Sequence, residues 1–248
     1  MIAGLFHKGS GLGNQLHRYV GTRCLALDRG EDFTMVAPEL FKGSFMNLDT
    51  GVPLHLKYHI EEPAGKVIVD DCPEEIEIVD GEFQGEKDFI HHIDEVRDWL
   101  QCEPQPFRIH FTKQEDICVL NVRGGEYRGV PSLFLPKEYW YRAMDNMRAI
   151  NPRVRFAIVT DDPDLCCEWF PNFPIRHDEG DWSAIKEAHY LILSNSSFAI
   201  LPAILNENAK KIIAPWGWAR HNEGYWMLEE NRYKKFTYQD REGNLHQL

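Results

Sequence analysis

The chain has 248 residues and an apolar fraction of 43%, enough for a full core in one large domain or two small ones. Its net charge of −12, from 39 acidic against 27 basic side chains, argues against a general nucleic-acid or anionic-membrane surface, so a basic residue recruited to an anionic ligand has to act locally. The six cysteines, Cys24, Cys72, Cys102, Cys118, Cys166 and Cys167, form no C-x-x-C pair, which argues against zinc and against a disulfide framework and makes a reducing compartment the default. No apolar run reaches membrane-spanning length, and Ile2 to Phe6, which stops at His7-Lys8, is too short for a signal-peptide core. The expectation is a soluble cytoplasmic protein with no transmembrane segment, peripheral membrane association remaining open.

In chain order, Ile2 to Phe6 is the first strand candidate. Lys8 to Gln15, K-G-S-G-L-G-N-Q, follows, and then a helical pattern with Leu16, Tyr19, Val20 and Leu27 on one face, closed by Asp28-Arg29-Gly30. Strand, glycine loop and helix is the plan of a phosphate-binding turn, since a helix N-terminus offers free N–H groups. It is equally the plan of a tight strand–helix packing, and it lacks both the dinucleotide fingerprint and a Walker Lys-Ser/Thr. Phe33 to Val36 and Val67 to Val69 read as strands, and the stretch between them, with Gly51, Pro53, Pro63 and Gly65, reads as loops. His55 and His59, four apart but without helical context, fit a loop or surface role better than a metal pair. Phe89, Ile93, Val96 and Leu100 predict a helix, and Pro104 and Pro106 mark a break between two halves, residues 1–108 and 109–248.

Ile117 to Leu120, with Val122 following Asn121, is a short apolar run with β-branched residues and no helical spacing, the pattern of a buried parallel strand. It breaks at Gly124-Gly125, with Arg123 just before and Glu126 and Tyr127 just after. Ligands bind where the strands of open α/β sheets end, and a guanidinium placed there grips a phosphate or carboxylate through two parallel hydrogen bonds. The competing reading is a glycine-rich turn with a solvated arginine. Beyond it, Pro136 to Ala149 reads as a helix with Pro136 in its first turn. Phe156 to Val159 is a strand that runs into Thr160-Asp161-Asp162-Pro163, followed by a helix ending before Pro171. Ala184 to Tyr190 reads as helix, Leu191 to Leu193 as strand, and Ser194 to Ser197 as the cap of a helix from Phe198 to Leu205. Ile212-Ile213 precedes Pro215-Trp216-Gly217-Trp218, and the polar residues from Arg232 onward read as a loosely held tail. Alternating strands and helices through the second half indicate an α/β fold with a parallel sheet.

Four landmarks occur in order: G-L-G-N-Q-L from Gly11, G-E-F-Q-G-E-K-D-F from Gly81, N-V-R-G-G-E-Y from Asn121, and F-A-I-V-T-D-D-P from Phe156 with S-N-S-S-F from Ser194 and I-A-P beyond. The set resembles the α-1,2-fucosyltransferases and, more loosely, the α-1,6- and protein O-fucosyltransferases, whose motifs run G-G-L-G-N-Q-M-F-Q-Y, G-Y-F-Q-S-E-K-Y-F, H-x-R-R-G-D-Y, F-S-D-D, N-S-T-F-S-W-W and I-A-P. Order and approximate spacing agree from Gly11 to about Trp218. The resemblance implies a GT-B-like architecture of two Rossmann-type domains with a cleft between them. The first half would serve a glycan acceptor and the second the nucleotide sugar. It also implies an inverting transfer of L-fucose from GDP-β-L-fucose without a cofactor or divalent metal.

Carried over by motif, Arg123 grips the donor diphosphate, Asp161 and Asp162 lie near the nucleoside, and Ser196 and Ser197 stand at a helix N-terminus facing the phosphates. Gly11, Gly13, Asn14 and Gln15 line the cleft. Asn121 replaces the family histidine, Gly124 the second arginine, Glu126 the aspartate, and Ile200-Leu201-Pro202 the Trp-Trp-Gly. These departures bear on the sugar and the acceptor more than on the diphosphate grip. Chemically, a departing diphosphate needs a metal or fixed cations and N–H dipoles. The adjacent carboxylates of Asp161-Asp162 converge poorly on one ion, which leaves Arg123 and the amides near Ser196-Ser197 as the metal-free solution. Asp161 and Asp162 fit ligand binding for one of the two, or a helix cap. Glu126 is the first candidate for the base that deprotonates the acceptor, or else a salt bridge that holds the loop; His17 and Asp178 are weaker base candidates. Trp216 and Trp218 are the candidate sugar-stacking surfaces, against core packing.

Overall fold

The computed structural model describes residues 1–102, 116–177, 180–217 and 232–247. It divides into two compact units, Met1–Glu103 and Pro104–Leu248. The expected boundary between residues 108 and 109 lies outside the described residues.

In the first unit, β1 (Ile2–Leu5) leads through α1 (Leu12–Arg29) to β2 (Phe33–Val36). A hairpin of β3 (Tyr58–Glu61) and β4 (Lys66–Val69) follows, then β5 (Glu77–Val79) and the short α2 (Ile93–Trp99). A three-stranded sheet runs β2-β1-β5, all parallel. Leu16, Tyr19 and Val20 are fully buried as the helical spacing predicts, but Leu27 is 48% exposed. The buried stripe of α1 instead ends on Cys24 and Ala26, and Gly30, in the left-handed region at φ 63°, closes the helix by donating its N–H to Ala26 and Leu27 carbonyls. β3 lies where the glycines and prolines predict loops. Its residues alternate between half-buried and exposed, too short an amphipathic signal beside Pro63 and Gly65 to stand out. Phe89, Val96 and Leu100 are buried as expected, yet the helix is confined to α2 because Phe89 lies between two 3₁₀ turns, Glu86–Asp88 and Ile90–His92.

The second unit alternates strand and helix: β6 (Ile117–Val122), α3 (Lys137–Ile150), β7 (Arg155–Thr160), α4 (Pro163–Trp169), β8 (Ile175–Arg176), α5 (Asp181–Glu187), β9 (Tyr190–Ile192), α6 (Ser197–Leu205), β10 (Lys211–Pro215), β11 (Thr237–Gln239) and β12 (Leu245–His246). They form a seven-stranded sheet in the order β12-β11-β10-β9-β6-β7-β8, parallel except for β12. Numbered from β6, the parallel strands read 3-2-1-4-5-6, the order of doubly wound nucleotide-binding sheets, with the reversal between β6 and β9. The chain is thus a mixed α/β protein with a mostly parallel main sheet.

β6 is buried at every position. Leu120, Val122, Ile158 and Ile192 share a core with Tyr139, Trp140 and Met144 of α3 and Phe170. The alternate residues Val119, Ala157, Val159 and Leu191 are also fully buried, and α5 packs on β6, β7 and α6. Burial on both faces explains why this strand reads as an apolar run broken only by Asn121.

Three expectations need correction. Pro136 stands before α3 in extended backbone (ψ 161°), not within the first turn. Tyr190 begins β9 instead of ending α5, which stops at Glu187. The segment after Arg232 is no loose tail: Tyr233, Phe236 and Tyr238 are buried, and β11 adds to the main sheet. Among the described residues no helix is long and apolar enough to cross a membrane.

Candidate functional site

The carboxyl ends of β6, β7 and β9 bring Arg123, Asp161 and Ser194 to the same edge of the second unit's sheet, beside the reversal of strand order. Ser194 Oγ donates to Asn121 Oδ1 at 2.9 Å, and both residues are buried. Asn195 Nδ2 donates to the Leu133 carbonyl at 2.9 Å, while its Oδ1 is buried without a hydrogen-bond partner among the described residues. Ser196 is the N-cap residue of α6, but its hydroxyl makes no capping bond; Ser197 is the first helical residue and is half-buried.

Arg123 is enclosed by acid. Nη1 lies 2.7 Å from Asp161 Oδ2, Nη2 bonds Glu126 Oε1, and the guanidinium carbon is 5.2 Å from the centre of the Tyr127 ring. Its side chain keeps 31% exposure. Burial raises the Tyr127 phenol above its ordinary value, partly countered by Arg123.

The two aspartates hold the glycine turn. Gly124 N–H donates to Asp161 Oδ1 at 2.8 Å and Gly125 N–H to Asp162 Oδ2 at 3.0 Å. Asp162 also takes a two-pronged contact from Arg128, Nε and Nη2 both at 2.6 Å, and caps α4 by accepting from Leu165 N–H at 3.2 Å. Burial pushes the Asp162 carboxyl up, but Arg128 and the Leu165 and Gly125 amides outweigh it, and the group titrates below the usual range. A side chain at 124 has no room, because a Cβ there would stand 2.4–2.8 Å from Asp162 Oδ2, Cβ and Cγ. Two guanidinium groups therefore face three carboxylates.

In the first unit, Gly11 is the N-cap residue of α1 with nothing within 4 Å of a would-be Cβ, and Gly13 is buried in the first turn. Asn14 Oδ1 accepts from Gln84 Nε2 at 3.0 Å. Gln15 is fully buried with its amide engaged by backbone: Nε2 donates to the His7 and Leu40 carbonyls at 3.2 and 2.8 Å, and Oε1 accepts from Lys42 N–H at 2.9 Å. The β3–β4 turn packs against the glycine loop, so that a Cβ on Gly9 would fall 1.9 Å from the Ala64 carbonyl oxygen. His17 is fully buried, with Nδ1 3.1 Å from the Phe83 carbonyl. Asp178 and Trp218 lie outside the described residues.

Sequence reasoning missed a charged cluster at the carboxyl ends of β1 and β5. His7 Nδ1 accepts from Val67 N–H at 2.9 Å, which leaves Nε2 carrying the proton it gives to Asp80 Oδ1 at 2.8 Å. Arg18 bonds both Asp80 and Glu82, and Lys66 lies 3.3 Å from Asp80. The His7 bond, with Arg18 beside it, holds the Asp80 carboxyl far below its ordinary value against the opposing effect of burial. His7 directly after an apolar strand was the available signal; Asp80, 73 residues on, had none. With both ring nitrogens of His7 engaged, the cluster is a brace for this end of the unit.

A cavity of about 490 Å³ opens at the ends of β10 and β11, lined by Tyr139, Trp216, Arg232, Gln239 and Asp240 among others. The Arg232 guanidinium stacks 3.5 Å from the Trp216 ring centre, and the His246 ring lies 4.3 Å from it. Trp216 thus stacks on protein groups. No protein-family model matches the chain, and no curated protein sequence matches it.

Proposed function

We propose that this chain is an inverting, metal-independent glycosyltransferase that moves L-fucose from GDP-β-L-fucose to a hydroxyl of a glycan acceptor, a galactose in α-1,2 linkage being the expected case. The proposal includes a GT-B-like pairing of two Rossmann-type domains and a cytoplasmic location. The observation that carries it is Arg123 at the carboxyl end of β6, where strand order reverses beside β9 and the N-terminus of α6.

In this reading the donor diphosphate displaces Glu126 from Arg123, and the guanidinium meets the charge that grows on the leaving phosphate. The acceptor oxygen attacks the anomeric carbon from the face opposite the diphosphate. The bond to the phosphate oxygen breaks with its electron pair going to GDP, and the acceptor proton passes to Glu126, which that displacement parts from Arg123. Asp161 keeps its bond to Arg123 and the Gly124 amide, and so holds the guanidinium in place.

The three carboxylates around two guanidinium groups favour a second reading, a relative that takes another nucleotide sugar or binds without turnover. Calorimetric titration of GDP, GDP-fucose and UDP-sugars, followed by a donor-hydrolysis assay in excess chelator, separates the readings. Binding of GDP and GDP-fucose, much weaker binding of UDP-sugars, and chelator-resistant turnover are expected. Preference for a UDP-sugar without GDP affinity would remove fucose from the reading; GDP binding without turnover would leave a binding protein.

A further inference from the structure

The first unit holds a group of side chains that the proposed transfer does not use. Asp28 sits in the last turn of α1, and His91 and His92 end the 3₁₀ turn before α2. Asp28 Oδ1 lies 2.9 Å from His92 Nε2, and Asp28 Oδ2 lies 3.1 Å from His91 Nε2. One ligand atom from each of the three residues lies within 4.8 Å of the others. We propose that Asp28, His91 and His92 bind a divalent cation of the zinc class.

Bond lengths of about 2.0–2.1 Å from zinc to each ligand place tetrahedral donors roughly 3.3 Å apart. The two imidazole-to-carboxylate separations of 2.9 and 3.1 Å are therefore a few tenths of an ångström short of a coordination edge. Both histidines turn the same ring nitrogen, Nε2, toward one carboxylate, and their rings are 4.5 Å apart. Without a cation, both Nε2–H groups converge on Asp28. With one, the two lone pairs and the carboxylate face a common charge, and the ring protons move to Nδ1. For His92 a carboxylate stands near that nitrogen: Glu95 Oε1 is 3.7 Å from Nδ1, beyond hydrogen-bond distance but close enough to attract a proton moved there.

Local charge points the same way. Among the described residues the ion-pair partners of Asp28 are these two histidines, while neighbouring Arg29 pairs with Glu77 and Arg97 with Asp94. Two imidazoles and one carboxylate suit zinc, nickel or cobalt and are a poor set for magnesium or calcium, which take oxygen ligands. Three protein ligands leave a coordination position to solvent, since Asp28 and His91 are nearly half exposed. The ion would pin the end of α1 to a turn 63 residues later in the chain.

The test uses the full chain without a polyhistidine tag, stripped of metal by chelator. Titration with Zn²⁺ should show one equivalent bound and a rise in Tm, with no response to Mg²⁺ or Ca²⁺. Co²⁺ should give the visible absorption of a low-coordinate site. Asp28→Asn and His91→Ala should each weaken Zn²⁺ binding at least about tenfold, and Glu95→Gln by less than either. His59→Ala, at the separate pair of His59 in β3 with Asp70 beyond β4, should leave it unchanged. Circular dichroism should show all four variants folded, since the altered side chains are exposed or half-buried. Absence of stoichiometric Zn²⁺ binding, or binding indifferent to Asp28→Asn and His91→Ala, would overturn the proposal. Chelator should lower Tm while leaving the proposed sugar transfer intact, so the two proposals fail separately.

Discussion

Ser194 Oγ and Asn121 Oδ1, 73 residues apart in sequence, meet in a buried 2.9 Å hydrogen bond that ties the carboxyl ends of β6 and β9 together. These are the strands between which the sheet reverses its order. The bond sets the spacing of the edge from which Arg123 and α6 emerge. Ser194→Ala should cost about 1–3 kcal/mol, because it leaves the Asn121 carbonyl buried without its donor. Urea denaturation measures the loss, and GDP titration should show weaker binding in the same variant.

On the proposed transfer, Arg123→Ala should lower turnover roughly a hundred- to a thousand-fold, the usual consequence of removing one preorganised donor from a developing oxyanion. Arg123→Lys should rescue little, because an ammonium cannot reproduce the planar two-pronged contact. Stability should fall by no more than about 1 kcal/mol, since the ion pairs with Glu126 and Asp161 are partly exposed. Steady-state kinetics and a thermal melt check both halves. A folded Arg123→Ala protein with near-parental turnover places the phosphate site elsewhere.

Glu126→Gln separates binding from chemistry. Glu126 competes with any phosphate for Arg123, so its neutral replacement should tighten GDP binding several-fold. If Glu126 also takes the acceptor proton, the same variant should lose turnover and the acid limb of its pH–rate profile. Calorimetry and a pH series on one protein read both effects.

Gly124→Arg introduces the side chain found at this place in the fucosyltransferase motif that the sequence resembles, and it should fail. The new Cβ would meet Asp162, which is fixed by Arg128, Gly125 and its capping bond to Leu165. Gly124→Ala should already cost about 1–3 kcal/mol by forcing that network apart. Tm and the Arg128–Asp162 geometry in a variant structure report the outcome.

Acid should destabilise the protein chiefly through aspartates. Asp80 is held far below its ordinary value by His7 and Arg18; at Asp240 burial is outweighed by Asn244 and His246, and the pKa is lowered to about 2. A carboxylate with a depressed folded pKa contributes stability above its unfolded value, near 3.9, and that contribution is lost as pH falls through the folded one. Asp80→Asn should lower stability at neutral pH and flatten its dependence below about pH 4. The loss should stay under the roughly 3–5 kcal/mol of breaking a fully buried pair, because Glu82 still holds Arg18. Denaturant midpoints across pH measure it.

The central parallel strands of the second unit were legible because burial on both faces writes them as apolar runs: β6 matches its expected bounds, and β7 contains its own. β2 is equally plain. β3 and β5 are short and half-exposed, so their alternation is too weak to read beside glycine and proline. The C-terminal strands were hidden by charged neighbours, although Phe236 and Tyr238 alternate toward the core. At the site, motif order placed Arg123, Asp161 and Asp162 on one sheet edge. The cap of α4 by Asp162, made to Leu165 three residues on, was one of the two readings open for the acidic pair. That Gln15 braces backbone, or that Arg128 completes the charge set, could not be told, since each depends on partners distant in sequence.

The main sheet ends on β8 at one side and β12 at the other, each two residues long, and β12 runs against its neighbour. A strand arriving from another molecule needs a row of open amides and carbonyls to zip onto. At either rim it meets little more than one dipeptide of ladder among the described residues. The parallel strands that carry the candidate site are thereby poorly open to edge-to-edge stacking, and the main sheet should resist fibril seeding even at concentrations where its apolar β6 sequence, if unfolded, would not.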